Sequence, residues 1–203
     1  MRPSGIEVFR YLNESMKQVG CFLLFMVFCS LSCTRKNSYA DGILQLQSRP
    51  VSLPLDKMRC MWNGRDTIVG GEEYAKGMKL VVYYDSAACS SCGLKTMYLW
   101  DKLIEELESC GKDVSLCFVF APLKKDMGEF RLAMRTMPPL VPVYVDTVGV
   151  FARENPHLPR EAMYHTFLLD EENRVVLVGD PSRNERIKEL FWQIVEEKSG
   201  KRE

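Results

Sequence analysis

Two patterns of hydrophobic and polar residues follow one another along the middle of the chain: short apolar runs, and apolar residues spaced as on one face of a helix. Short apolar runs at residues 80–84, 114–120 and 141–145 are typical of strands that are covered on both faces. After the first two runs, apolar residues recur at steps of three and four over residues 90–110 and 124–136, which predicts amphipathic helices. Strands that alternate with helices in this way predict an α/β sandwich around one sheet.

The flanking segments predict two hairpins and a last helix. Apolar segments on both sides of Asn63-Gly64 predict a two-residue β-hairpin near the start of the domain. Strands at residues 163–169 and 174–178 are separated by too few residues for anything but a second hairpin. Ser182, which is followed three residues later by a glutamate, predicts the start of a final helix. The expected fold is an α/β sandwich with a central mixed β-sheet and an N-terminal β-hairpin.

The first 33 residues have the pattern of a targeting segment. Basic residues precede an apolar run at residues 19–28, and the sequence CSLSC follows and ends at Cys33. The small residues before Cys33 resemble a bacterial lipoprotein box, in which the cysteine carries the lipid. Residues 1–33 are therefore predicted to be a signal peptide with a lipidated Cys33. An uncleaved membrane anchor is the alternative, although the apolar run is short for a membrane span.

Length, charge and cysteine count limit the number of domains and the classes of protein that the sequence allows. Residues 34–48 are polar and predict a flexible tether, which leaves residues 49–203 for one folded domain of ordinary size. The 27 basic and 27 acidic side chains give a net charge of zero, which argues against a nucleic-acid partner. Apart from Cys33, five cysteines follow the leader, and an odd number argues against a framework stapled by disulfides.

Two of these cysteines carry the candidate chemistry. Cys89 and Cys92 fall at the start of the helix that follows the first apolar strand. Unpaired backbone N–H groups and the helix dipole at that position stabilise a thiolate, which makes a thiol of pKa about 8.5 nucleophilic at neutral pH. One sulfur can then attack a disulfide while the second resolves the mixed disulfide. The strand-to-helix position favours a redox pair over two incidental thiols.

Four segments in order resemble the thioredoxin-like superfamily, in its periplasmic TlpA and redoxin branch. They are AKGMKLVVYY at residues 75–84, CSSC at 89–92, PVYVD at 142–146 and TFLLD at 166–170, and the resemblance covers residues 50–198. It implies a thioredoxin-like three-layer sandwich and a cell-envelope protein that faces the periplasm. It also implies exchange with protein thiols and disulfides, with Cys89 as the nucleophile and Cys92 as the resolving cysteine.

The chain departs from the family pattern at three positions near this pair. Ala88 replaces the usual aromatic residue, Tyr83 replaces a buried acid, and His165 stands at the position of the family's cis-proline. The resemblance places the His165 imidazole over Cys89, where it could stabilise the thiolate, accept a proton, or complete a metal site with both cysteines. The alternative for a lone histidine at a strand end is a hydrogen-bonded packing residue.

The sequence thus predicts a membrane-tethered thiol-disulfide oxidoreductase of the bacterial cell envelope. Its catalytic residues would be Cys89, Cys92 and His165, with the redox-active disulfide in place of a cofactor, and its partners would be protein thiols and disulfides. One alternative is a copper or zinc carrier that uses Cys89, Cys92 and His165 as ligands on the same fold. The other is a non-catalytic, lipid-anchored interaction domain. His157 is expected at the surface.

Overall fold

The computed structural model describes residues 38–67, 77–111 and 113–199. The predicted signal peptide, its lipidated Cys33 and residues 34–37 of the predicted tether lie outside these ranges. Residues from Gly42 onward belong to one compact unit, and of the unit Met1–Asp41 the structure describes only residues 38–41. No helix within the described ranges is long and apolar enough to cross a membrane.

The described residues form seven strands and six α-helices. In chain order these are α1 (Ser38–Leu46), β1 (Arg59–Trp62), β2 (Arg65–Thr67), β3 (Met78–Tyr84), α2 (Ser90–Lys95), α3 (Asp101–Cys110), β4 (Val114–Phe120), α4 (Met127–Thr136), β5 (Val143–Val145), α5 (Val150–Glu154), β6 (Thr166–Leu169), β7 (Val175–Val178) and α6 (Glu185–Ser199).

One mixed sheet contains all seven strands, in the order β2-β1-β5-β4-β3-β6-β7. Strands β3, β4 and β5 are parallel neighbours, whereas β1 pairs with β5, and β6 with β3, in the antiparallel sense. Hairpins β1-β2 and β6-β7 close the two edges. This arrangement confirms the predicted mixed sheet and the predicted N-terminal hairpin.

The sheet lies between two layers of helices because the strand side chains alternate between its faces. On β3, Leu80 and Val82 point into one core, and Val81 and Tyr83 into the other. The first core is covered by α2, α3, α4 and α6, and the second by α5 and the last turn of α1. The buried helical residues of the first core include Leu94, Leu103, Ile104, Leu107, Phe130, Ala133, Met134, Phe191 and Val195.

The N-terminal hairpin has the two-residue turn that its sequence predicts. Asn63 and Gly64 have φ angles of 51° and 71°, and Trp62 pairs directly with Arg65 across the turn. Two consecutive residues in the left-handed region form the turn whose twist matches that of paired strands.

The predicted helix after β3 is broken into two. Helix α2 ends at Lys95, a 3-10 segment covers Met97–Trp100, and α3 begins at Asp101. The break lies at Thr96, whose backbone N–H and hydroxyl both donate to the Gly93 carbonyl, at 3.0 and 2.9 Å. A branched residue that bonds back to its own turn competes with the regular helical ladder. Gly111 ends α3 at a φ of 60°, in the left-handed region that favours glycine.

Two expectations about chain segments differ from the structure. The segment predicted as a tether contains helix α1, because Ile43 and Leu46 form an apolar face and the side chain of Leu46 is fully buried. The last helix is capped by Asn184 and not by Ser182, since the Asn184 side chain accepts the Ile187 N–H at 3.2 Å. The hydroxyl of Ser182 instead donates to Asp180 at 2.6 Å.

Candidate redox site

A short turn carries the chain from the end of β3 to the cysteine pair. Oδ1 of Asp85 accepts the backbone N–H groups of Ala87 and Ala88 at 3.0 and 2.8 Å, which fixes this turn. The acid that lies close to the pair in sequence therefore acts as a local turn former. Cys89 follows as the residue that caps the N-terminus of α2.

Cys89 and Cys92 are joined in a disulfide with a Cα–Cα distance of 5.1 Å. The Sγ atom of Cys89 also accepts the backbone N–H of Cys92 at 3.2 Å, and the Cys89 carbonyl accepts the N–H of Gly93 at 2.9 Å. The sequence-predicted pair is thus brought together at the start of a helix. An N–H group aimed at the first sulfur is the kind of contact that stabilises a thiolate when the bond is reduced.

Both cysteines are exposed, whereas Ser90 and Ser91 between them are buried, with 5% and 6% of their surface accessible. Exposure therefore does not distinguish an outward, attacking sulfur from an inward, resolving one. The assignment of Cys89 as nucleophile and Cys92 as resolving cysteine stays a prediction from the sequence.

A serine and a glutamate that the sequence did not single out lie against the pair. The Oγ of Ser91 is 3.5 Å from the Sγ of Cys89 and donates to Oε1 of Glu129 at 2.9 Å. Glu129 lies in the first turn of α4, which follows β4. Because β3 and β4 are parallel, with Tyr84 opposite Phe120, the segments that follow them meet at one edge of the sheet. Parallel pairing of these two strands was the one feature from which the position of α4 beside the cysteines could have been predicted.

His165, the third candidate catalytic residue, lies immediately before β6. Its side chain is buried, its Nε2 lies 2.9 Å from the carbonyl oxygen of Pro159, and its ring centroid is 5.2 Å from that of Tyr83. Neither of these two contacts of the ring involves Cys89 or Cys92. The described residues contain no cis peptide bond, so the peptide bond before His165 is trans. These contacts fit the hydrogen-bonded packing alternative, and a role for His165 at the cysteine pair stays a prediction from the sequence.

The three residues proposed as an alternative metal set are not assembled in the structure. Cys89 and Cys92 bond to one another, and the His165 ring bonds to a backbone carbonyl. Within residues 38–67, 77–111 and 113–199, no group of three or more His, Cys, Asp or Glu side chains is placed to hold a metal ion.

A cavity of about 270 Å³ lies beside the Asp85 turn. Its wall includes Tyr83, Asp85, Pro159, Arg160 and His165. Burial raises the pKa of Tyr83 to about 12, and the charges of Asp85 and Asp146 act in the same direction. The Tyr83 phenol therefore stays protonated at neutral pH, so it offers no base to the cysteines.

His157, expected at the surface, is half-buried. Both of its ring nitrogens are buried and have no hydrogen-bond partner among the described residues. Burial lowers the pKa of His157, and the positive charge of Arg49 lowers it further. The flanking prolines suggested an open loop, but Leu158 packs against the second core and draws this part of the loop inward.

Comparison with known proteins gives the following. No protein-family model and no curated protein matches the sequence. One similar solved structure is a protein from Chlorobium tepidum, provisionally titled thiol:disulfide interchange protein DsbE. It is 16% identical, covers 62% of this chain and 84% of its own, and has a TM-score of 0.41. A hypothetical protein from Sinorhizobium meliloti 1021 is 15% identical, covers 61% and 67%, and has a TM-score of 0.39.

The fold is identified from the order and direction of the chain's own strands and helices. The parallel strands β3 and β4 are connected through α2, which carries the cysteine pair at its start. Strands β6 and β7 continue the sheet in the antiparallel sense. Helix α6 packs on the same face of the sheet as α2. The fold is thioredoxin-like. This confirms the fold class expected from the four sequence segments.

Proposed function

We propose that the protein is a thiol-disulfide oxidoreductase. The observation that carries the proposal is the bonded, exposed Cys89–Cys92 pair at the N-terminus of α2. A pair of this kind can accept or donate two electrons by exchanging its disulfide with that of another protein. No contact of the described residues specifically favours the metal-carrier or interaction-domain alternatives.

The exchange balances with two cysteines and one substrate disulfide. The thiolate of Cys89 attacks a substrate sulfur, a mixed disulfide forms, and the other substrate sulfur leaves as a thiolate that takes up a proton. The thiolate of Cys92 then attacks the sulfur of Cys89 and releases the second substrate thiolate. The pair is oxidised, the substrate disulfide is reduced, and an external dithiol protein must reduce the pair again. The same steps in reverse oxidise a substrate dithiol.

We further propose that the protein acts in the bacterial cell envelope on protein thiols and disulfides, tethered to the membrane through Cys33. Support for this location comes from the apolar run and small residues that precede Cys33. Mass spectrometry of the mature protein tests the anchor, because a peptide that begins at Cys33 without lipid contradicts it.

Serine substitutions at the pair test the proposed activity. Both Cys89→Ser and Cys92→Ser should abolish turnover in a disulfide-reduction assay driven by dithiothreitol, because each removes one of the two required sulfurs. The variant that retains the attacking sulfur should accumulate mixed disulfides with protein partners, and the sequence predicts that this is Cys92→Ser. Gel mobility with and without reductant detects those adducts.

Cys110 provides the matched control. It is an exposed free thiol, so Cys110→Ser should leave turnover unchanged. Full activity in both pair variants would refute the oxidoreductase proposal. Adducts trapped by Cys89→Ser instead of Cys92→Ser would reverse the roles of the two cysteines.

A further inference from the structure

The hydroxyl of Ser91 lies between the candidate nucleophile and a carboxylate from another helix. Its oxygen is 3.5 Å from the Sγ of Cys89 and 2.9 Å from Oε1 of Glu129. A serine hydroxyl has one proton to donate. That proton can point to Glu129 or to the sulfur, but it cannot serve both.

We propose that Glu129 is a positioning residue that draws the Ser91 proton away from Cys89 and so keeps the Cys89–Cys92 pair more reducing. In the disulfide, the Cys89 sulfur is a neutral acceptor 3.5 Å away and the Glu129 carboxylate is a charged one at 2.9 Å, so the hydroxyl bonds to Glu129. In the reduced protein the Cys89 thiolate has to compete with that carboxylate for the same proton. The Cys89 thiolate of the reduced protein then lacks a donor that lies next to it. Less stabilisation of the thiolate destabilises the reduced state, and the reduced pair gives up its electrons more readily. The inference rests on the proposed exchange activity.

Burial makes the choice of this one proton matter. Only 6% of the surface of Ser91 is accessible, so water has little access to the hydroxyl itself, and its proton has the Cys89 sulfur and the Glu129 carboxylate as acceptors. The backbone N–H of Cys92, 3.2 Å from the same sulfur, is present whichever way the hydroxyl points. Of the other charged groups on the neighbouring segments, Lys95 is exposed on α2 and Asp85 is held by the turn before Cys89. Glu129 is therefore the charged group that acts through Ser91.

A double-mutant cycle on the full chain isolates this effect. The pKa of the Cys89 thiol is measured from the rate at which iodoacetamide alkylates the Cys89 peptide against pH, followed by mass spectrometry. A Cys92→Ser/Cys110→Ser background removes the second motif thiol and the exposed Cys110 thiol. Glu129→Gln should lower this pKa by about 1 unit, because the hydroxyl becomes free to donate to the thiolate. Ser91→Ala alone should change it little, since Glu129 already holds the proton. In the Ser91→Ala background, Glu129→Gln should have at most a small effect.

The same substitutions in the protein with both cysteines should shift the redox equilibrium. Glu129→Gln should make the disulfide about tenfold easier to reduce against a glutathione buffer. Asp126→Asn is the matched control: it removes one negative charge next to the start of α4, where the Asp126 side chain makes no cap bond. It should leave both the Cys89 pKa and the redox equilibrium close to those of the parent.

Two results would overturn the inference. One is that Glu129→Gln changes the Cys89 pKa by the same amount whether residue 91 is serine or alanine, because the carboxylate would then act only through space. No change of this pKa in either background would mean that the carboxylate does not act at all. The other is a shift of equal size in Asp126→Asn, which would assign the effect to overall charge. The alkylation profile measures a thiol pKa and the glutathione titration measures a redox equilibrium, so neither depends on turnover. Loss of the exchange activity itself is tested separately by the cysteine variants.

Discussion

At the scale of single residues, the orientation of the cysteine pair depends on a glycine that follows it. Gly93 is buried in α2, and a Cβ atom at this position would lie 2.7 Å from the Tyr84 ring and 3.1 Å from the Phe120 ring. These two rings stack at a centroid distance of 4.5 Å with 5° between their planes. The helix can therefore approach the sheet this closely only without a side chain at Gly93.

Gly93→Ala should lower the free energy of unfolding by about 1–3 kcal/mol, because the extra methyl group overpacks rigid aromatic rings. Urea unfolding of the oxidised protein measures the loss. Gly128→Ala is the control, since Gly128 lies in α4 and a Cβ there has nothing within 4 Å. That change should be neutral or stabilise the protein by up to about 1 kcal/mol. Equal effects at the two glycines would show that close packing at Gly93 is unimportant.

The sequence located the cysteines but not their surroundings. Cys89 and Cys92 were predictable because strand, turn and helix signals are local in sequence. Ser91 and Glu129 are 38 residues apart and meet only because two parallel strands end at one edge. His165 shows the converse limit, since a position in a sequence pattern does not fix the contacts that its ring makes. Its ring meets the Pro159 carbonyl, a contact set by the preceding loop.

At the scale of elements, α5 is held in place by one buried carboxylate. Asp146, at the end of β5, accepts the backbone N–H groups of Val148, Val150 and Phe151 at 3.2, 2.9 and 2.8 Å. The helix then places the Phe151 ring 4.7 Å from Tyr83. A five-residue helix has little stability of its own, so this cap and its packing determine where it lies.

Asp146→Asn should cost about 1–3 kcal/mol of unfolding free energy, because the new amide group cannot accept the third N–H and leaves a buried donor unpaired. Hydrogen exchange should become faster at the Phe151 amide, which reports on α5 directly. Asp126→Asn again serves as the comparison, because Asp126 makes no such bond and should change stability by less than about 0.5 kcal/mol. A small loss at Asp146 together with unchanged exchange at Phe151 would contradict the capping role.

The elements that the sequence predicted well are those with a strong internal period. Strand β3 is covered on both faces and reads as a continuous apolar run, whereas α1 is recognisable mainly by Ile43 and Leu46 within a polar segment. The end of the predicted helix at Gly111 could be read from one residue, while its break at Thr96 depends on bonds that propensity does not specify. Short helices and breaks therefore depend on tertiary contacts that local sequence does not contain.

At the scale of the whole molecule, the second core combines apolar residues with ionisable groups that must stay neutral. Burial raises the pKa of the Cys117 thiol from 9.0 to about 12, and the neighbouring Cys60 thiol acts in the same direction. Tyr83, in the same core, has its pKa raised from 10.0 to about 12. Cys117 lies in β4 and is fully buried. Alternation of side chains along β4 puts Cys117 into the second core, but the free-energy cost of ionising its thiol depends on the residues that assemble around it.

These raised pKa values predict a loss of stability at alkaline pH. Both groups ionise by losing a proton, and they do so at lower pH in the unfolded chain, so their contribution to stability is complete below pH about 9 and disappears as the pH approaches about 12. Each group should steepen the loss by about 1.4 kcal/mol per pH unit within its window. Urea unfolding between pH 7 and 11, in a reduced Cys89→Ser/Cys92→Ser background that excludes disulfide exchange, measures this slope. Cys117→Val should flatten the decline from about pH 9 and Tyr83→Phe from about pH 10, while Cys110→Ser, at an exposed thiol, should follow the parent. Parallel declines in all four proteins would mean that neither buried group controls the alkaline stability of the fold.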